Sequence, residues 1–141
     1  LKNAARILVT PQAYEEMFER HPSKSTCVEF CQGTFAEMGV DIYEVIRSMA
    51  SRNKISYVHF RNIKGTIPKY QEVFIDEGDV DMVKALSIYK ECGYKGLLMP
   101  DHTPAINCAD PNETGMAYAV GYIKGIMQAL HIDIETAEDS E

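Results

Sequence analysis

The sequence predicts an α/β fold in which parallel strands alternate with crossover helices, as in an incomplete α/β barrel. Three observations predict it. Short apolar stretches bounded by turn residues recur at 26–31, 55–60 and 95–99. Apolar residues return at helical spacing between and after them. At or just beyond the carboxyl ends of these stretches stand Cys31, His59 and Asp101, residue types that bind metals.

Residues 7–10 form a short apolar segment that can serve as an edge strand. Thr10 is a candidate cap, Pro11 suits a first helical turn, and 12–20 reads as a helix. His21, before Pro22 in a polar stretch, is read as a solvated loop histidine. The first clear strand is 26–31, and Gln32-Gly33-Thr34 breaks it. A helix follows from about Asp41, with Ile42, Val45, Ile46 and Met49 on one face. The second strand is 55–60. A polar loop with Gly65 and Pro68 follows, then a short apolar piece, Val73-Phe74-Ile75. Gly78-Asp79 is expected to open the next helix, with Asp79 as its cap and Asp81 in its first turn. Met82, Leu86 and Tyr89 make its apolar stripe, and Gly93 ends it. The third strand, 95–99, stops at Pro100-Asp101-His102. A polar loop runs to Thr114. The last helix is expected from about Gly115 to Leu130, with Met116, Val120, Ile123, Met127 and Leu130 on one side. The acidic tail from Glu135 is expected to be loose.

Bulk properties narrow the function classes. The 141 residues suit one domain, and 45% hydrophobic content supports a real core. A net charge of −7 without a dense Lys/Arg run argues against nucleic acid as a partner. No apolar run approaches the roughly 20 residues of a membrane span, and the first residues do not read as a secretory signal. Cys27, Cys31, Cys92 and Cys108 form no CxxC pair and no zinc-finger spacing, so a reduced, cytoplasmic setting is expected.

Strand parity brings the chemistry together. In parallel barrel strands, alternate side chains face the lumen or the helices. If Val28, Phe30, Val58 and Phe60 face the helices, then Cys27, Glu29 and Cys31 face inward, as do Tyr57, His59 and Arg61. Asp101 shares a parity with Leu97 and Met99. Active sites of such barrels lie at the carboxyl ends of the strands. A thiolate, an imidazole and a carboxylate there can hold Zn²⁺, Fe²⁺ or Mn²⁺. Arg61, one step beyond His59 on the same face, can grip a substrate carboxylate. Singly, these signals are weak. A lone histidine is more often a core residue, a lone aspartate more often a turn residue, and a lone cysteine more often a small buried hydrophobe.

Several segments together resemble the mannonate dehydratase family: Glu29-Phe30-Cys31-Gln32-Gly33-Thr34-Phe35, Val58-His59-Phe60-Arg61, Gly78-Asp79-Val80-Asp81-Met82 and Met99-Pro100-Asp101-His102. Gly121-Tyr122-Ile123-Lys124-Gly125 resembles its last helix. The likeness runs from about Arg6 to Leu130. It implies a (β/α)₈ TIM barrel related to xylose-isomerase-type enzymes. Residues 1–130 would supply its C-terminal portion, about three to four βα units, and 131–141 a flexible tail. It further implies a lyase that dehydrates D-mannonate to 2-keto-3-deoxy-D-gluconate with Mn²⁺ or Fe²⁺. Cys31, His59 and Asp101 fall on metal ligands. Arg61 falls on the family's arginine, and His102 on a histidine implicated in proton transfer. The implied partners are a sugar acid, a divalent metal, and either further copies of the chain or the remainder of the barrel.

Two departures stand out. The family's fourth ligand, a histidine, belongs to a strand before Arg6, and His21 does not match its motif. The family's loop tyrosine is missing from Asn107-Cys108-Ala109-Asp110-Pro111-Asn112-Glu113-Thr114. Two other readings compete with a dehydratase: an isomerase or epimerase on the same barrel, and a non-catalytic remnant. A closed barrel needs eight strands and typically about 250 residues. The chain alone is therefore expected to be inactive, with Glu29 lacking a partner on the opposite wall.

Overall fold

The computed structural model describes residues 7–133. Leu1–Arg6 and the tail from residue 134 lie outside the described residues. The elements in chain order are α1 (Pro11–Arg20), β1 (Val28–Cys31), α2 (Gln32–Glu37), α3 (Ile42–Ala50), β2 (Ile55–His59), β3 (Ile63–Thr66), β4 (Lys69–Glu72), α4 (Met82–Glu91), β5 (Leu97–Met99) and α5 (Pro111–Ala129). β1, β2 and β5 pair in parallel in the order β1-β2-β5, and β3 and β4 form a separate antiparallel hairpin.

Parallel pairing fixes which residues meet. Cys31 lies opposite His59, and His59 opposite Met99. Side chains two apart share a face, so this register aligns the ends of all three strands. One face is covered: Val28, Phe30, Val58 and Phe60 are buried, and Leu98 packs against them. The other is open: Glu29 is exposed, and Leu97 keeps 65% of its surface accessible.

Aromatic contacts knit the covered face. Phe30 stacks on Phe35 of α2 with centroids 4.6 Å apart, and Tyr89 of α4 sets its edge against Phe30 and Phe60. α4 contacts both α3 and α5. Local signals start and stop these helices. Thr10 caps α1 by accepting from Ala13 N, and Asp41 caps α3 by accepting from Tyr43 N and Glu44 N. After α4, Gly93 takes φ +70° while its N–H donates to Lys90 O and that of Tyr94 to Tyr89 O, a Schellman ending.

The structure corrects several expectations. Residues 7–10 form no strand. Gln32-Gly33-Thr34 does not merely end β1 but winds into α2, because Phe35 must turn back onto Phe30. The polar loop around Gly65 and Pro68 is the β3–β4 hairpin, which turns at a cis Ile67–Pro68 bond. Asp79 does not cap α4. Asp81 does, accepting from Lys84 N at 2.9 Å, while Asp79 accepts from Gly65 N and ties the loop to the hairpin. α5 starts at Pro111 rather than Gly115, with the proline in its first turn. Its buried residues are Gly115, Ala119, Ile123 and Ile126, while Val120 is 42% exposed. Small residues win here because a Cβ on Gly115 would collide with Thr103 Oγ1.

Asn62 fastens the segment that follows β2. It is 2% exposed. Its Nδ2 donates to Ile75 O and Val80 O, and its Oδ1 accepts from Ile63 N and Val80 N, at 2.9–3.1 Å. A Cβ on Gly78 would strike this same amide. Replacing the side chain leaves four buried backbone groups unpaired. Asn62→Ala is expected to cost about 2–4 kcal/mol, read as a lower urea midpoint at unchanged slope. A loss below about 1 kcal/mol would remove Asn62 from this role.

Candidate metal centre

The carboxyl ends of the parallel strands bring three of the expected residues together. Ligand atoms of Cys31, His59 and Asp101 all lie within 4.8 Å of one another. Cys31 ends β1 and His59 ends β2, as register partners. Asp101 lies two residues past β5 at φ +69°, a left-handed conformation that aspartate tolerates better than most residues. All three are half-buried. Thiolate, imidazole and carboxylate on one side of a small space fit a borderline divalent cation, so this donor set suits the metal that the resemblance implies.

Arg61 is buried beside these residues rather than open to solvent. It is 8% exposed. Its Nη2 donates to Glu37 Oε1 at 3.1 Å and to Thr34 Oγ1 at 3.3 Å. Its Nε faces Asp101 Oδ2 at 3.2 Å and its Nη1 faces Glu72 Oε1 at 3.8 Å, charge contacts rather than aligned hydrogen bonds. The fork expected to hold a substrate carboxylate is therefore largely engaged by the protein's own carboxylates. Burial pulls the Arg61 pKa down, but Cys31 and Glu37 outweigh it by charge and hydrogen bonding, leaving it above the ordinary arginine value. Thr34 closes the ring by donating to Cys31 Sγ at 3.1 Å. Gly33 gives Arg61 its room, since a Cβ there would sit 2.5 Å from Nη1 and 2.6 Å from Cζ.

His102 is half-exposed. Its Nε2 lies 3.3 Å from Asp101 Oδ2 and its Nδ1 3.3 Å from Glu72 Oε2. Glu72, on β4, thus reaches both His102 and Arg61. On the open face, Glu29 finds the partners that the sequence did not supply. His59 Nδ1 lies 3.0 Å from its Oε1, and Tyr57 donates its hydroxyl to Oε2 at 2.6 Å. That hydrogen bond to Glu29 is the main cause of a raised Tyr57 pKa. His21 is the C-cap residue after α1 and is exposed, and it is not among the residues that converge here.

Sequence reasoning missed Glu37, Glu72, Thr34 and Gly33. Thr34 and Glu37 are three apart, a helical spacing that becomes visible only if α2 is a helix. Glu72 required the hairpin to be recognised. Gly65 and the Ile67-Pro68 pair were the signals for it.

The family model for D-mannonate dehydratase (UxuA) matches residues 3–137. The chain is 33% identical over 134 residues to mannonate dehydratase 2 of Halalkalibacterium halodurans, covering 89% of this chain and 39% of that protein. It is 28% identical over 137 residues to the mannonate dehydratase of Streptococcus agalactiae serotype V, covering 89% of this chain and 38% of that protein. The chain thus spans about two fifths of the length of these curated relatives. Among solved structures, mannonate dehydratase from Streptococcus suis serotype 2 is similar with a TM-score of 0.79 at 21% identity, over 97% of this chain and 44% of that one. A xylose isomerase domain protein from Planctomyces limnophilus is similar with a TM-score of 0.69 at 20% identity, over 85% of this chain and 44% of that one. These two likenesses bear on the fold, an α/β arrangement around a parallel sheet. The matched family model and the 33% identical relative bear on descent: the chain belongs to the D-mannonate dehydratase family.

Proposed function

We propose that the chain forms part of a metal-dependent hydro-lyase that dehydrates D-mannonate to 2-keto-3-deoxy-D-gluconate. The observation that carries this reading is the convergence of Cys31, His59 and Asp101 at the strand ends. Within it, residues 1–130 are the C-terminal three to four βα units of a (β/α)₈ barrel, and the remaining strands come from further polypeptide or from other copies of the chain. The partners are a sugar acid and Mn²⁺ or Fe²⁺. A cytoplasmic setting suits a site built on a thiol, and none of the four cysteines is disulfide-bonded. No helix among the described residues is long and apolar enough to cross a membrane.

Cys31, His59 and Asp101 are the residues that would hold the cation. When bound, it would supply Lewis acidity beside the substrate's carboxylate, where negative charge develops as the C2 proton leaves. The protein's own groups do the rest. Arg61 holds Asp101 by charge and shares the Thr34 hydroxyl with the Cys31 sulfur, keeping both donors aimed at one point before any ligand arrives. His102, half-exposed beside Asp101, carries one of the two proton transfers that dehydration requires, at C2 or at the departing C3 hydroxyl. Glu72 holds the other side of the His102 ring and approaches the Nη1 arm of Arg61.

The test is a 2-keto-3-deoxy acid assay on D-mannonate, run on the Mn²⁺-loaded chain together with the strands that complete the barrel in a relative. Loss of water with formation of the keto acid is expected. Isomerised product without loss of water would place the protein with the isomerases instead.

Two further outcomes follow from the geometry. Cys31→Ala is expected to weaken Mn²⁺ binding by about two orders of magnitude or more in titration calorimetry. Unchanged affinity would remove Cys31 from the ligand set. Gly33→Ala is expected to push the Arg61 guanidinium off its seat, destabilising the fold by about 1–3 kcal/mol and lowering Mn²⁺ affinity without touching a ligand. A variant matching the parent in both stability and affinity would show that Arg61 does not organise the centre.

A further inference from the structure

We propose that Glu29 sets the tautomer and ring orientation of His59, so that this chain carries its own carboxylate behind the histidine of its metal centre. The inference rests on the metal-centre reading given above. It deepens that reading by assigning a positioning residue that the family resemblance did not include.

The backbone puts Glu29 in place. The parallel register sets Cys31 opposite His59 and Glu29 opposite Tyr57, all four on the open face of the sheet. The Glu29 carboxylate therefore lies one step down the strand from the thiol, diagonal to the imidazole. Both of its oxygens are committed. Oε1 lies 3.0 Å from His59 Nδ1, and Oε2 accepts the Tyr57 hydroxyl at 2.6 Å. The Tyr57 ring meets the His59 ring edge-on, with centroids 5.4 Å apart and planes at 63°. Carboxylate, phenol and imidazole thus brace one another through two polar contacts and one ring contact.

Stability does not account for this arrangement. The Glu29 side chain is 46% exposed, and a half-exposed ion pair contributes little to folding. The chemistry of the imidazole does account for it. In neutral imidazole one nitrogen carries the proton and the other the lone pair. A carboxylate on the Nδ1 side holds the proton there and leaves the lone pair on Nε2, free for a cation. Asp101 Oδ1, the other carboxylate near Nδ1, stands farther off at 3.6 Å, so Glu29 is the closer acceptor. Tyr57, by occupying Oε2, keeps Glu29 from swinging away from the ring or joining the ligands.

The experiment uses the chain loaded with Zn²⁺, a diamagnetic probe. Long-range ¹H–¹⁵N spectra of His59 are expected to show a protonated Nδ1 and a metal-shifted Nε2. Glu29→Ala is expected to weaken Zn²⁺ binding about 10- to 100-fold. Glu29→Gln, whose amide oxygen still accepts from Nδ1–H, should recover part of that loss, and Tyr57→Phe should lose less than Glu29→Ala. Circular dichroism checks that each variant folds. A metal-bound Nδ1 in the parent chain, or a Glu29→Ala variant that binds like the parent, would overturn the proposal. Cys31→Ala separates the two failures. If Cys31→Ala abolishes binding while Glu29→Ala leaves it intact, Glu29 alone is misassigned. If Cys31→Ala leaves binding intact, the metal-centre reading falls and this inference falls with it.

Discussion

A guanidinium removed from water must be surrounded by negative charge, and Arg61 imposes that condition on everything near the strand ends. It is buried, with Glu37 hydrogen-bonded on one side, Asp101 and Glu72 on others, and the Cys31 thiol within its field. Each of these groups comes from a different element: α2, the turn after β5, β4 and the end of β1. One buried cation therefore ties four separate segments to a common point. Removing any one anion leaves the rest with a buried charge to satisfy, so the arrangement is preorganised rather than assembled on binding.

The face that the sheet leaves open explains why so much of the site was legible in the sequence. Alternation along 26–31 and 55–60 separated Phe30, Val58 and Phe60 from Glu29, Cys31, Tyr57 and His59, because a period of two is a rigid geometric rule. The helix termini were nearly as legible where a single side chain does the capping, as at Thr10 and Asp41. Asp79 and Asp81 show the limit of that logic. Two aspartates two residues apart both satisfy the capping pattern, and only the hairpin's need for an acceptor at Gly65 N decides between them.

What stayed hidden depends on tertiary context. Gly33 looked like a strand breaker because glycine has that meaning locally, yet its lack of a Cβ serves the Arg61 side chain that crosses it. Gly115 and Ala119 carried no apolar signal and so were passed over for Met116 and Val120, although close approach to the segment at Thr103 favours the smaller side chains. Glu72 sits on a strand whose four residues are all exposed, so no hydrophobic pattern could mark it. Its importance appears only when the hairpin folds back to set it against His102 and Arg61.

The charge balance at the strand ends supports the proposed chemistry. Glu29, Glu37, Glu72 and Asp101 contribute four carboxylates, with the Cys31 thiol beside them. Against these stands one obligate cation, Arg61, and two histidines, each with a ring nitrogen close to a carboxylate. Like charges this close raise the energy of the site unless a further positive charge enters it. A divalent cation held by Cys31, His59 and Asp101, as proposed, would supply that charge. It would offset the charge of Asp101 directly, and the carboxylates of Glu29 and Glu72 would remain beside the imidazoles of His59 and His102.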